Sequence, residues 1–382
     1  MKIVHLADSH LGFSAYSRVD KWGRNLREEM VYQGFKEAVD KIIEINPDAV
    51  VHAGDVFHHV RPRIRPLYVF KQNLERLIDA EIPVIIISGN HDAPKSFFAV
   101  SPFKLFEGMD GIYIAHSYQY ERFDVGGYRF HCIPFCLNSD DYLKQFQNIH
   151  YSGSDVLVMH GMVEALWDKR LRTVGEHELK DSFLKRDFSY IALGHYHGQA
   201  QIANNAWYSG SIEYFRFGEE GDDKGMLLVD LDKGLVEPIQ VKDKNMFDLP
   251  AIECDGFSSE DLLKELQSKC DEVGLENNIV RIKLNNVSRE AYKNINLRGL
   301  GQLKSMAVHL EVMPNFKEEK NVWKSEAIEV ERLPREFEKF LKDESSSERI
   351  AQAIKDEVIS YGTDLIKRAA ETRTTEVFDA PK

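Results

Sequence analysis

Five short apolar runs in the first 200 residues each stop abruptly at a cluster of polar side chains. Ile3–Leu6 ends at Asp8-Ser9-His10, Ala49–His52 at Gly54-Asp55, and Val84–Ile87 at Gly89-Asn90-His91-Asp92. Val156–Met159 ends at His160-Gly161, and Ile191–Leu193 at Gly194-His195-Tyr196-His197. Short continuous apolar runs separated by helical patterns read as strands buried on both faces. Between the first two, Val31, Phe35, Ala38, Val39, Ile42 and Ile43 recur at helical spacing and Pro47 ends the helix. A further strand is expected at Arg129–Phe135. This alternation predicts a layered α/β domain. In such domains the ligand crevice lies at the carboxyl ends of the strands, so five clusters after five strands point at one spot. Gly89 is expected to lift Asn90 and His91 out of the core and into that spot.

Taken singly, a GD or HG pair is a turn, and an HxH pair is more often surface than ligand. Five such coincidences at strand ends are hard to accept as accidents. Together Asp8, His10, Asp55, Asn90, His160, His195 and His197 offer seven oxygen and nitrogen donors and no thiolate. That is too many for one tetrahedral zinc. Mixed carboxylate and imidazole ligation suits two divalent ions of octahedral type, with Mn²⁺ or Fe²⁺ favoured and Mg²⁺ also admitted. Two such ions, roughly 3.5–4 Å apart, clamp a phosphoryl group and activate water. Phosphate ester hydrolysis is the natural reaction. His5 and His52 lie inside strands and are read as core histidines.

A chain of 382 residues has room for two domains and an appendage. No apolar run approaches the roughly 20 residues that span a bilayer, and no membrane is expected as a partner. The start, Met1-Lys2-Ile3-Val4-His5, lacks a signal-peptide pattern. Cys132, Cys136, Cys254 and Cys270 are scattered and read as buried thiols, which points to the cytoplasm. The net charge of −13 argues mildly against nucleic acid as a partner. It is a weak veto, because carboxylates that bind cations count as negative in that tally. The runs Arg61-Pro62-Arg63-Ile64-Arg65 and Lys169-Arg170-Leu171-Arg172 suit either phosphates or a solvated loop.

The texture changes near Phe247-Asp248-Leu249-Pro250. A strand at Ala251–Cys254, a helix from Ser258-Ser259-Glu260-Asp261 to about Val273, and strands at Ile279–Leu284 and Val308–Val312 form a small α+β unit. Leu333, Phe337, Phe340 and Leu341 then fall at helical spacing, as do Ile350, Ile354, Val358, Tyr361 and Leu365. Ser345 with Glu348 has the form of a capping box. The expected domains are 1–245, 246–322 and 323–370, with 371–382 a loose tail.

The order DxH, GD, GNHD, H, GHxH resembles the calcineurin-like metallophosphoesterase superfamily over about residues 1–217. "HLADSHLG", "GDVFHH", "SGNHD", "ALGHYHG" and "YSGSIEYFRFGEE" are similar to the SbcD family of double-strand-break repair nucleases. The resemblance implies a β-sandwich flanked by helices, then a capping domain and C-terminal helices. It assigns Asp8, His10 and His197 to a first ion, Asn90, His160 and His195 to a second, and Asp55 to a bridge. His91 corresponds to a catalytic histidine that binds no metal, and His58 to a supporting one. An imidazole beside a metal-bound Asn can supply a proton where the alkoxide develops. The family further implies two Mn²⁺ per chain, DNA as substrate and a coiled-coil ATPase of the SbcC type gripped by the C-terminal helices. It also implies a homodimer through Pro66–Ala80 and Lys95–Phe106. There Leu67, Phe70, Leu74 and Leu77, and Phe97, Phe98, Phe103, Leu105 and Phe106, are either the contact or packing onto the sheet. Competing readings are a phosphodiesterase or protein phosphatase of the same superfamily, or a DNA-end tether with structural metals.

Overall fold

The computed structural model describes residues 1–96, 99–151, 153–164, 166, 178–185, 188–317, 333–342 and 352–375. Met1–Phe316 form one compact unit, and the chain from Lys317 onward a second. In chain order the first unit runs β1 (Lys2–Leu6), α1 (Leu26–Ile45), β2 (Ala49–His52), α2 (Ile64–Asp79), β3 (Val84–Ile87), β4 (Ile112–Ala115), β5 (Glu121–Val125), β6 (Tyr128–Ile133), α3 (Ser139–Phe146), β7 (Asp155–His160), β8 (Met162–Val163), β9 (Glu178–Leu179) and β10 (Tyr190–Gly194). It continues with β11 (Ala200–Ala203), β12 (Ala206–Tyr208), β13 (Gly225–Asp230), β14 (Leu235–Gln240), β15 (Met246–Asp248), β16 (Ile252–Glu253), α4 (Ser259–Val273), β17 (Ile279–Val287), α5 (Arg289–Lys293), α6 (Leu297–Met306) and β18 (His309–Phe316).

Two six-stranded sheets, ordered β14-β13-β1-β2-β3-β4 and β11-β12-β10-β7-β6-β5, pack face to face. The strands expected from the sequence are the inner ones, and they run parallel. Side chains alternate with period two. Ile3, Val51 and Ile85 face Phe130, Val158 and Ala192 of the other sheet. Val4, Val50 and Ile86 face Phe35, Val39 and Leu74 of α1 and α2. With both faces covered, a run such as Val84–Ile87 is apolar throughout because every position is buried.

Residues 246–316 carry their own apolar cluster, built from Leu262 and Leu266 of α4, Ile282 and Leu284 of β17, and Leu300 of α6. Its strands β15, β16 and β18 all pair in parallel with β17. Ser258 and Asp261 close a reciprocal capping box on α4. The four cysteines are free and buried. Among the described residues no helix is long and apolar enough to cross a membrane.

The second unit contains α7 (Leu333–Lys342) and α8 (Gln352–Thr375), with Phe337 of α7 against Gly362 of α8. The helix reaches Thr375, so the first part of the stretch expected to be a loose tail is helical. The Ser345–Glu348 capping box and Phe97, Phe98 and Lys169–Arg172 lie outside the described residues.

His5 and His52 are buried as expected. His5 Nδ1 lies 2.9 Å from Tyr190 Oη, and His52 Nε2 lies 2.8 Å from Ser9 Oγ. Burial holds both imidazoles down at about 3, from the ordinary 6.5. Below pH 6.5 the unfolded chain takes up these protons and the folded chain does not. Stability present above pH 6.5 is therefore lost as the pH falls toward 3. At pH 5 each ring is expected to cost about 2 kcal/mol, at about 1.4 kcal/mol per unit of pH. Urea unfolding at pH 7.5 and pH 5 checks this, and the loss should shrink in His5→Asn, which cannot titrate.

Candidate metal centre

The carboxyl ends of β1, β2 and β3 in one sheet, and of β7 and β10 in the other, meet at one place. The turns there are tight. Asp8, His10, Asp55 and His195 all have positive φ, at 52°, 45°, 53° and 102°. Non-glycine residues rarely adopt this region, and it clusters at functional sites. Gly89 ends the buried run as expected, with Asn90 and His91 half-buried at the shared site after it. Its φ is ordinary, but a Cβ there would strike the backbone nitrogen and carboxylate of Asp55, so it allows the β2 and β3 turns to touch.

All seven expected donors come together. Asp8, His10 and His197 form one group and Asp55, His160 and His195 another, the ligand atoms within each lying within 4.8 Å of one another. His10 Nε2 faces His197 Nε2 at 3.1 Å. Asn90 Oδ1 sits 3.0 Å from His160 Nε2 and 2.9 Å from His195 Nδ1. Asp55 Oδ2 lies between the groups, 3.4 Å from His160 Nε2 and 3.8 Å from His10 Nε2. Both oxygens of Asp8 accept from the His195 backbone N–H, at 3.1 and 3.0 Å.

The chemistry of this donor set calls for cations. His160 Nδ1 is 2.8 Å from the carbonyl oxygen of Ala53, so it carries the proton. In the neutral ring Nε2 is then a lone pair facing the amide oxygen of Asn90, two acceptors that need positive charge between them. Burial would lower this imidazole, but Asp55 outweighs burial and raises it. Two buried carboxylates stand close by. Burial and the charge of Asp55 push Asp8 well above the usual carboxylate range. Burial would also raise Asp55, but His160, His10 and His91 outweigh it and hold it well below. Burial lowers His10 and His197. Oxygen and imidazole donors without a thiolate fit divalent ions of hard to borderline character.

The remaining two expected residues adjoin this centre. His91 donates its backbone N–H to Asp55 Oδ1 at 2.8 Å, and its Nδ1 lies 3.1 Å from the carbonyl oxygen of His58. Its ring stacks on His58, with centroids 5.1 Å apart, and meets His10 edge-on at 4.7 Å. His58 Nδ1 is 3.4 Å from His10 Nδ1. The last polar residue of the β3 cluster, Asp92, is buried and accepts from the backbone N–H groups of Gly89 at 2.7 Å and Phe57 at 3.2 Å. It braces the two turns and does not join the donor set.

Residues 1–199 match the family described as calcineurin-like phosphoesterase. The chain belongs to that family. It is a phosphoesterase that works with divalent metals. A DNA double-strand break repair protein Mre11 from Methanocaldococcus jannaschii is 32% identical over 262 residues, covering 63% of this chain and 67% of the relative. The SbcD component of nuclease SbcCD from Staphylococcus epidermidis is 30% identical over 318 residues, covering 75% and 80%. The Sulfurisphaera tokodaii Mre11 is 26% identical over 332 residues, covering 84% and 82%. Within the family the chain falls in the Mre11/SbcD branch.

Two side chains near the centre were not anticipated from the sequence. Glu219 contacts His197, and Phe215 packs edge-on against the rings of His10 and His197, at 4.9 and 5.2 Å. Both lie within "YSGSIEYFRFGEE", whose likeness to the SbcD family was the only signal.

Proposed function

We propose that this chain is a dinuclear-metal DNA nuclease that processes double-strand ends together with a coiled-coil ATPase of the SbcC type. One observation carries the reading: two ligand groups meet around Asp55 in a chain whose relatives are named as Mre11 and as the SbcD component of nuclease SbcCD. Asp8, His10 and His197 would hold one ion, Asn90, His160 and His195 the other, and Asp55 both. Mn²⁺ suits the donors best, with Fe²⁺ or Mg²⁺ able to replace it. When bound, the ions neutralise the phosphate and lower the pKa of water. His91 serves the leaving oxygen: its Nδ1–H donates to the His58 carbonyl, and in the imidazolium form Nε2–H is the second proton, given up to the leaving oxygen. His58 supports that ring by stacking on it. A DNA substrate and an ATPase partner suit work in the cytoplasm.

The test is turnover of free-ended and end-blocked linear duplex with Mn²⁺, with and without the ATPase, beside a small chromogenic diester. Cleavage of the duplex supports the reading. Hydrolysis of the small diester alone would assign the chain to a small-substrate phosphodiesterase instead.

Two partner contacts belong to the same proposal. Of the apolar residues on α2, Phe70, Leu74 and Leu77 are spent on the core, while Ile64 is 86% exposed and Tyr68 58% exposed. Leu105 is 69% exposed, while Phe103 and Phe106 point inward. The exposed set is assigned to a two-fold dimer contact. Light scattering at micromolar concentration should give a dimer, and Ile64→Glu with Tyr68→Glu a monomer. For the ATPase, the segment 323–370 beyond the 246–322 cap is the proposed grip. Truncation after Trp323 should abolish co-purification with the ATPase and leave Mn²⁺ binding unchanged.

A further inference from the structure

Beside the ligands lies a buried pair of opposite charges, Glu219 at 5% exposure and Lys224 at 6%. Burying two charges is costly unless the geometry satisfies both, and here it does. Glu219 Oε1 is 2.9 Å from His197 Nδ1 and accepts from Arg216 Nε at 3.3 Å. Its Oε2 accepts from Lys224 Nζ at 2.8 Å and from the Phe215 backbone N–H at 3.0 Å. Lys224 Nζ also donates to the His197 carbonyl oxygen at 2.9 Å and to Ser211 Oγ at 3.1 Å. His197 is thus held by its ring and by its backbone.

A carboxylate can only accept, so the nitrogen facing it must carry the ring proton. That leaves Nε2 of His197 as a lone pair, and Nε2 is the atom 3.1 Å from His10 Nε2. We propose that Glu219, locked by Lys224, is a positioning residue of the centre: it fixes the tautomer and angle at which His197 meets a divalent cation. Partners of this kind orient metal-binding imidazoles and raise their basicity. The inference rests on the metal-centre reading above. An ion pair that merely pinned the 211–224 segment would affect stability, with no special effect on His197.

Two measurements on the full chain test it. In calorimetric Mn²⁺ titrations, Glu219→Gln, which keeps the side chain's shape, should weaken one site about 10–100-fold and leave the other unchanged. In a His197→Ala background the same substitution should change Mn²⁺ affinity no further. Wild-type affinity at both sites, or an equal loss with and without His197, overturns the proposal while leaving the metal reading intact. Failure of the wild-type chain to bind Mn²⁺ overturns both. Long-range ¹H–¹⁵N spectra of the metal-free wild-type chain need no variant at Glu219. The ring signals that vanish in His197→Ala should report an Nδ1–H tautomer, and an Nε2–H tautomer overturns the proposal.

Discussion

His91→Ala is expected to purify with the wild-type metal content, bind DNA, and turn it over about 10²–10⁴-fold more slowly, the usual worth of general-acid assistance. Its ring nitrogen lies within 4.8 Å of those of His10 and His58, a third group that could hold a cation, so metal content decides between the two roles. Asn90 faces two imidazole nitrogens through its amide oxygen, whereas the described contacts of the His91 ring are with His58 and His10. Its link to Asp55 runs through the backbone N–H, which alanine retains. Metal content and turnover should be measured on the same sample. Unchanged turnover with both ions bound would remove His91 from the mechanism, and loss of an ion would make it a ligand. Asn90→Ala, by contrast, should lose one ion and activity together.

Asp55→Ala should weaken both Mn²⁺ sites at once, each by more than the 10–100-fold typical of removing an outer partner, and bring turnover to background. Asp55 is the carboxylate within 4 Å of histidines from both groups. It also receives the His91 backbone N–H, so its loss slackens the β3 turn as well. A calorimetric titration showing one site at wild-type affinity would restrict Asp55 to a single ion.

The inner strands were legible in the sequence because both of their faces are covered. Ala49–His52 and Val84–Ile87 run over the residues expected of them. The strands that went unread include sheet edges. Glu121–Val125 carries three charged residues, and Leu235–Gln240 is mostly exposed and contains Pro238, which an edge tolerates. Neither yields an apolar run. Helix α6 was missed for a related reason: among its ten residues only Leu300 and Leu303 are buried, too few for a clear stripe. The donors were legible because each ends a readable strand or lies within four residues of its end. Glu219 follows no strand of its kind. It lies on an irregular segment 22 positions beyond His197, where no periodicity marks which carboxylate turns inward.

The Asp8–His10–His197 and Asp55–His160–His195 groups each draw on both sheets. Asp8 and His10 follow β1 of the first sheet, while His197 follows β10 of the second; Asp55 follows β2, while His160 and His195 belong to the ends of β7 and β10. A cation held by either group therefore ties one layer of the sandwich to the other. Its binding energy is also energy against their separation, because a ligand that binds only the folded state raises stability by mass action. The centre is then a fastener as well as a catalyst. Chelation should lower the melting temperature, and amide exchange should rise first at the carboxyl ends of the central strands, where the two layers are pinned.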